Sequence, residues 1–173
     1  MCEDARTTIV AGMEHSANIR QPASSPAVLP AYRIVRGVVR LLASLDYRPL
    51  TEFLLPDGRR VDIAAVDARG GFAIIEVKSS LADFRADGKW CCYRNYCDVF
   101  FFAVDPTFSR ELLPEDVGLI VADGFEGVLL RPAPVTALNA ARRRAMLLRF
   151  ARTAAARLAA LTDPAAGPAG SGR

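Results

Sequence analysis

The run RVDIAAVDARGGFAIIEVKSS, residues 60–80, places two strand-like apolar segments around a DARGG turn and ends the second one with Glu76 and Lys78. Side chains alternate across a strand, so Glu76 and Lys78 share a face, about 6.6–7 Å apart along the chain. With the turn centred on Arg69, Asp62 and Glu76 stand at equal distances from it and face each other across the hairpin. Two carboxylates and a lysine then meet on one face, at the end of the hairpin away from its loop. Opposed like charges destabilise a strand pair. A divalent cation removes that objection, since Mg²⁺ is commonly held by one or two carboxylates with water and phosphate oxygens around it. The alternative is a salt-bridged pair on an exposed sheet edge, with Asp62 a strand-start residue.

Working outward, residues 49–55, 61–66 and 72–78 read as three strands separated by PDGR and DARGG, an antiparallel meander. Glu52 is a further candidate for the carboxylate cluster. A four-residue PDGR loop turns it away from Asp62, whereas a three-residue loop or a bulge brings it to the same face, and both registers stay open. Before the meander, Ile34, Val38, Leu41, Leu42 and Leu45 fall at helical spacing, with Arg33, Arg36 and Arg40 elsewhere on the cylinder.

After it, Ser79 and Ser80 offer an N-cap to LADFRADGKWCCYRNY, read as one helix that Gly88 weakens by roughly 1 kcal/mol. DVFFFAV, GLIVAD and GVLLRP read as three more strands, and 137–161 as a long closing helix. The expected fold is α/β, a small mixed sheet flanked by helices in the order αβββαβ followed by ββα.

The 173 residues, 51% of them hydrophobic, fit one domain with a sizeable core. Residues 1–28 and 162–173, rich in Ser, Ala, Gly and Pro without periodicity, are expected to be disordered tails around a domain at 29–161. The net charge is only +3, but 138–161 holds six arginines and no acid. On a helical wheel Leu147, Phe150, Ala151, Ala154, Leu158 and Leu161 gather on one side, with Arg142, Arg149, Arg152 and Arg157 opposite. That arginine face is either a solvated surface or a contact to a phosphate backbone.

Cys2, Cys91, Cys92 and Cys97 form neither a disulfide framework nor paired zinc ligands, which points to reduced core thiols and a cytoplasmic setting. No apolar run is long enough to cross a membrane, and the acidic N-terminus does not suit a signal peptide.

The layout Asp62-(x)13-Glu76-x-Lys78 on adjacent strands, with Pro56-Asp57 upstream, resembles the active-site signature of the PD-(D/E)XK nuclease superfamily, whose restriction-endonuclease-like core has the αβββαβ order. The wider run from Arg59 to Val104 looks like the MmcB family of DNA-repair endonucleases. The resemblance implies Asp62, Glu76 and the Val77 backbone carbonyl as ligands of Mg²⁺ or Mn²⁺, with Lys78 positioning the attacking water. Such chemistry needs no histidine, and the only one, His15, lies in the expected tail.

Lys89 and Tyr93, spaced i, i+4, resemble the Gln-x-x-x-Tyr motif of RecB-like members with lysine in place of glutamine, and Arg85 lies one turn earlier. Packing is the competing use of these side chains, and Trp90 is assigned to the core. The expectation is a metal-dependent DNA endonuclease in repair, associated with the nucleoid, with a homodimer and repair-protein partners in view. A non-catalytic DNA-binding accessory protein and a partner-binding domain are the alternatives.

Overall fold

The computed structural model describes residues 30–163; the two expected tails lie outside the described residues, apart from 162 and 163. Helix α1 (Pro30–Ser44) buries Ile34, Val38, Leu41 and Leu42 and leaves Arg33, Arg36 and Arg40 exposed, as the apolar spacing requires. The meander follows as β1 (Arg48–Leu54), β2 (Arg60–Val66) and β3 (Phe72–Lys78). Then come α2 (Leu81–Ala86), α3 (Trp90–Tyr93), a 3₁₀ turn at Arg94–Tyr96, β4 (Val99–Val104), β5 (Gly118–Ala122), β6 (Gly127–Arg131) and the closing helix α4 (Ala140–Thr162).

The six strands form one sheet in chain order, β1 to β6. β1, β2 and β3 pair antiparallel, β4 and β5 add on in parallel, and β6 returns antiparallel. Every residue of β3, β4 and β5 is buried, the pattern of strands covered on both faces. On one face α1 packs over Ile63, Ile75, Phe101 and Ile120. On the other, α4 and the α2–α3 segment cover Phe72, Ile74, Phe100 and Phe102, with Met146 of α4 fully buried. The expected mixed α/β sheet flanked by helices is what the chain builds.

Two local expectations are corrected. The single helix after β3 is three pieces. Ser80 caps α2 by accepting from the Asp83 N–H, but Asp87 leaves helical geometry, and α3 restarts only at Trp90. Asp87 is drawn out of the helix because its carboxylate has two partners elsewhere, Lys78 and the N–H of Lys89.

The wheel of α4 is also corrected. Leu147 and Phe150 pack inward, whereas Leu158 and Leu161 are 64% and 83% exposed. Arg149 and Arg157 turn toward β1, where they donate to the carbonyls of Leu54, Thr51 and Glu52. β1 is a sheet edge, and its outward carbonyls need donors more than the last turns of α4 need an apolar surface. A further guanidinium, that of Arg143, pairs with buried Asp98 at 2.6 Å and fixes the start of α4 to the sheet.

Trp90 is stacked on Phe100 with ring centroids 5.7 Å apart, in line with a core role. Of the cysteines expected in the core, Cys97 is buried, Cys92 half-buried and Cys91 exposed, since adjacent helix positions point about 100° apart.

Candidate active site

β2 and β3 pair as Val66↔Phe72, Ala65↔Ala73, Ala64↔Ile74 and Ile63↔Ile75. One step further in this register Asp62 stands opposite Glu76, as the sequence predicts. The ladder is replaced there by two reciprocal bonds. The Asp62 N–H donates to Glu76 Oε1 at 3.2 Å, and the Val77 N–H donates to Asp62 Oδ2 at 2.7 Å. Each carboxylate is thus tied to the other strand by one oxygen, which leaves Asp62 Oδ1 and Glu76 Oε2 outside those bonds.

The pair is set at the end of a fully buried strand, and its electrostatics follow. Glu76 is only 5% exposed. Burial, followed by repulsion from Asp62, pushes its carboxyl up to about 8, against the opposing pull of the Asp62 N–H and Lys78. Asp62, half-buried, is likewise raised by burial, with the Val77 N–H and Lys78 acting the other way. The pair lacks positive charge.

Lys78 supplies some of it, at 3.9 Å from Glu76 Oε2, but its ammonium sits closer to Asp87, at 2.6 Å from Oδ2. Burial raises the Asp87 carboxyl, yet its bonds from Lys78 and the Lys89 N–H outweigh this and hold it below the usual value. Asp87 is the site residue that sequence reasoning missed. The only local signal was an acid directly before the glycine of a doubtful helix.

Tyr93 is buried, and burial, then the charges of Glu76 and Asp87, push its phenol up to about 12, so its hydroxyl keeps its proton beside the carboxylates. Lys89 is exposed at the N-cap of α3 and Arg85 is exposed on α2, so the break at Asp87 separates what the sequence placed on one stripe. Val77 turns its side chain into the α1 face of the core.

Glu52 falls opposite Asp62 by register, since the hairpin closes with the Leu55 N–H on the Arg59 carbonyl around a three-residue tip. Its carboxylate nonetheless points outward, 2.6 Å from Arg60 Nε. Farther away, Arg142 donates to the Asn95 carbonyl at 3.0 Å and lies over the Tyr96 ring, while Arg149 reaches the Leu54 carbonyl at 3.3 Å.

Among the described residues, no group of three or more His, Cys, Asp or Glu side chains gathers at metal-holding distance. Asp62 and Glu76 are two hard oxygen donors whose proton affinity is raised by burial and mutual repulsion. That donor chemistry fits a small divalent cation completed by water and phosphate oxygens.

No helix among the described residues is long and apolar enough to cross a membrane. No match was found among curated proteins. Among solved structures, the SPO1766 protein of unknown function from Silicibacter pomeroyi superposes with a TM-score of 0.79 at 41% sequence identity, over 83% of this chain and 98% of that one. A family model described as DNA repair protein MmcB-like matches residues 20–165. With most of its length matched, the chain belongs to the MmcB-like family of DNA repair proteins.

Proposed function

We propose that the chain is a metal-dependent endodeoxyribonuclease that hydrolyses phosphodiester bonds in DNA repair, on a restriction-endonuclease-like core. The observation that carries this reading is the locked pair of Asp62 and Glu76, two desolvated carboxylates held face to face, with Lys78 two residues on. Pairing like charges in a buried place costs stability, and binding alone does not require it.

Asp62, Glu76 and the Val77 carbonyl would hold Mg²⁺ or Mn²⁺, which supplies charge stabilisation for the attacked phosphate and a more acidic bound water. Lys78 would orient the water and offset the negative charge that develops on the phosphate oxygens, with the protonated Tyr93 hydroxyl as a further donor. Lys89 and Arg85, both exposed, would contact the DNA backbone, with Arg142 and Arg149 of α4 adding to the basic surface. DNA is the partner this surface suits; a homodimer, repair-protein partners and a nucleoid-associated cytoplasmic location belong to the same proposal.

The second reading, a DNA-binding repair accessory protein that does not cut, draws on one observation. The Lys78 ammonium is engaged by Asp87 at 2.6 Å rather than being left to a phosphate. A nuclease assay on single-stranded, duplex, nicked and branched DNA with Mg²⁺, Mn²⁺ or EDTA separates the two. Metal-dependent cleavage that Lys78→Ala abolishes supports the enzyme. Salt-sensitive binding with no cleavage of any substrate supports the accessory protein.

A further inference from the structure

β1 and β2 hold one register on both sides of a gap. Leu50 pairs with Ala64 and Thr51 with Ile63, then Phe53 with Val61 and Leu54 with Arg60, but Glu52 and Asp62 between them do not pair. Glu52 has a φ of 50°, in the left-handed region. The alternation of both strands breaks at this point. Leu50 and Ala64 pack in the same apolar cluster as Phe53 and Val61, although an odd number of steps separates them and a regular strand would turn them to opposite faces.

A left-handed backbone is unfavourable for a residue that carries a Cβ and persists where its surroundings over-determine it. Here they do. Arg157 of α4 donates to the carbonyls of Thr51 at 2.6 Å and Glu52 at 2.7 Å, and Arg60 holds the Glu52 carboxylate outside the site.

The consequence falls on Asp62. An unbroken ladder would oppose it to Glu52, carboxylate against carboxylate on one face. With that pair opened, its N–H goes to Glu76 Oε1 and its Oδ2 takes the Val77 N–H. We infer that the left-handed backbone of Glu52, gripped by Arg157, is a positioning device that sets Asp62 against Glu76 and Val77, and that Glu52 serves the site through its backbone and not its carboxylate. This rests on the reading of Asp62 and Glu76 as a cation pair.

The test uses the full chain, with Mn²⁺ affinity by calorimetry, thermal melting, and hydrogen exchange at the Val77 amide. Glycine adopts this φ freely, so Glu52→Gly keeps wild-type Mn²⁺ affinity and Val77 protection. β-branched isoleucine cannot, so Glu52→Ile flattens the strand. It melts no lower than wild type, yet binds Mn²⁺ about tenfold or more weakly, as expected when a supporting shell is lost. Arg157→Ala weakens binding in the same direction, and the Val77 amide exchanges faster in both variants.

A loss in Glu52→Gly equal to that in Glu52→Ile would overturn the inference, because the carboxylate would then be the active part. Unchanged Val77 exchange in both Glu52→Ile and Arg157→Ala would overturn it as well. Asp62→Ala separates the two levels. If that variant keeps wild-type Mn²⁺ affinity, the cation reading falls, and Val77 exchange alone decides the positioning role.

Discussion

Lys78 Nζ lies 2.6 Å from Asp87 Oδ2 and 3.9 Å from Glu76 Oε2, so the closest carboxylate to this buried lysine comes from the turn after α2 and not from its own strand. Removing Asp87 leaves an ammonium that is 4% exposed with only the more distant Glu76 and Asp62 carboxylates beside it. Asp87→Ala is expected to cost roughly 3 kcal/mol, the scale of breaking a buried pair. Urea unfolding of Asp87→Ala, Lys78→Ala and the double variant measures the coupling. A cycle energy near zero would contradict the pairing.

Glu76 carries a second expectation, in metal-free buffer. Its folded value of about 8 lies above the ordinary 4.5, so between these pH values the folded state binds more protons than the unfolded one. Stability therefore falls as pH rises from about 4.5 to 8 and levels off beyond. Glu76→Gln removes the titrating group and should flatten that slope. Melting temperatures at half-unit pH steps check it, and parallel slopes for the two proteins would reject it.

Asp98 titrates in the opposite sense. Burial raises it, but the bonds from Arg143 and from the N–H groups of Phe72 and Leu138 prevail and leave it below its ordinary 3.8. Its contribution is present above that value and is lost as pH falls through the lower folded one. At neutral pH, Asp98→Ala strands Arg143 and the N–H donors of Phe72 and Leu138, and should cost about 3–5 kcal/mol. Chemical denaturation measures it. A cost under about 1 kcal/mol, typical of a surface pair, would show that the link between α4 and the sheet is dispensable.

DNA binding by α4 is tested through charge. Arg142→Glu combined with Arg149→Glu should weaken binding for every sequence and lower the log–log salt slope by about one per lost phosphate contact. Arg142 is the more exposed of the two, so it should carry the larger part. Fluorescence anisotropy over a salt series reads both quantities, and an unchanged slope would remove α4 from the interface.

What could be read from the chain was what depends on local periodicity and short-range register. β3 spans residues 72–78 as its apolar run implies, because a strand buried on both faces shows itself as a continuous apolar segment. The DARGG turn places Asp62 opposite Glu76 because a tight hairpin leaves few registers. The α1 stripe was equally legible, since helical spacing alone decides which side of an amphipathic cylinder turns inward.

Three features depended on groups distant in sequence. Asp87 breaks a helix to reach Lys78, and neither propensity nor spacing encodes that competition. The wheel of α4 set Arg157 opposite the apolar side, although seven residues at about 100° each bring it back beside Phe150, and the open carbonyls of an edge strand take Arg149 and Arg157 while Leu158 and Leu161 stay outside. For Glu52 the sequence left two registers open, and its left-handed backbone is held by a helix more than a hundred residues later. By itself the sequence determined the strands, the hairpin and the facing carboxylates. Only the tertiary structure decided which charges those carboxylates meet, because hydrogen-bond partners that close over long loops are chosen by packing and not by local pattern.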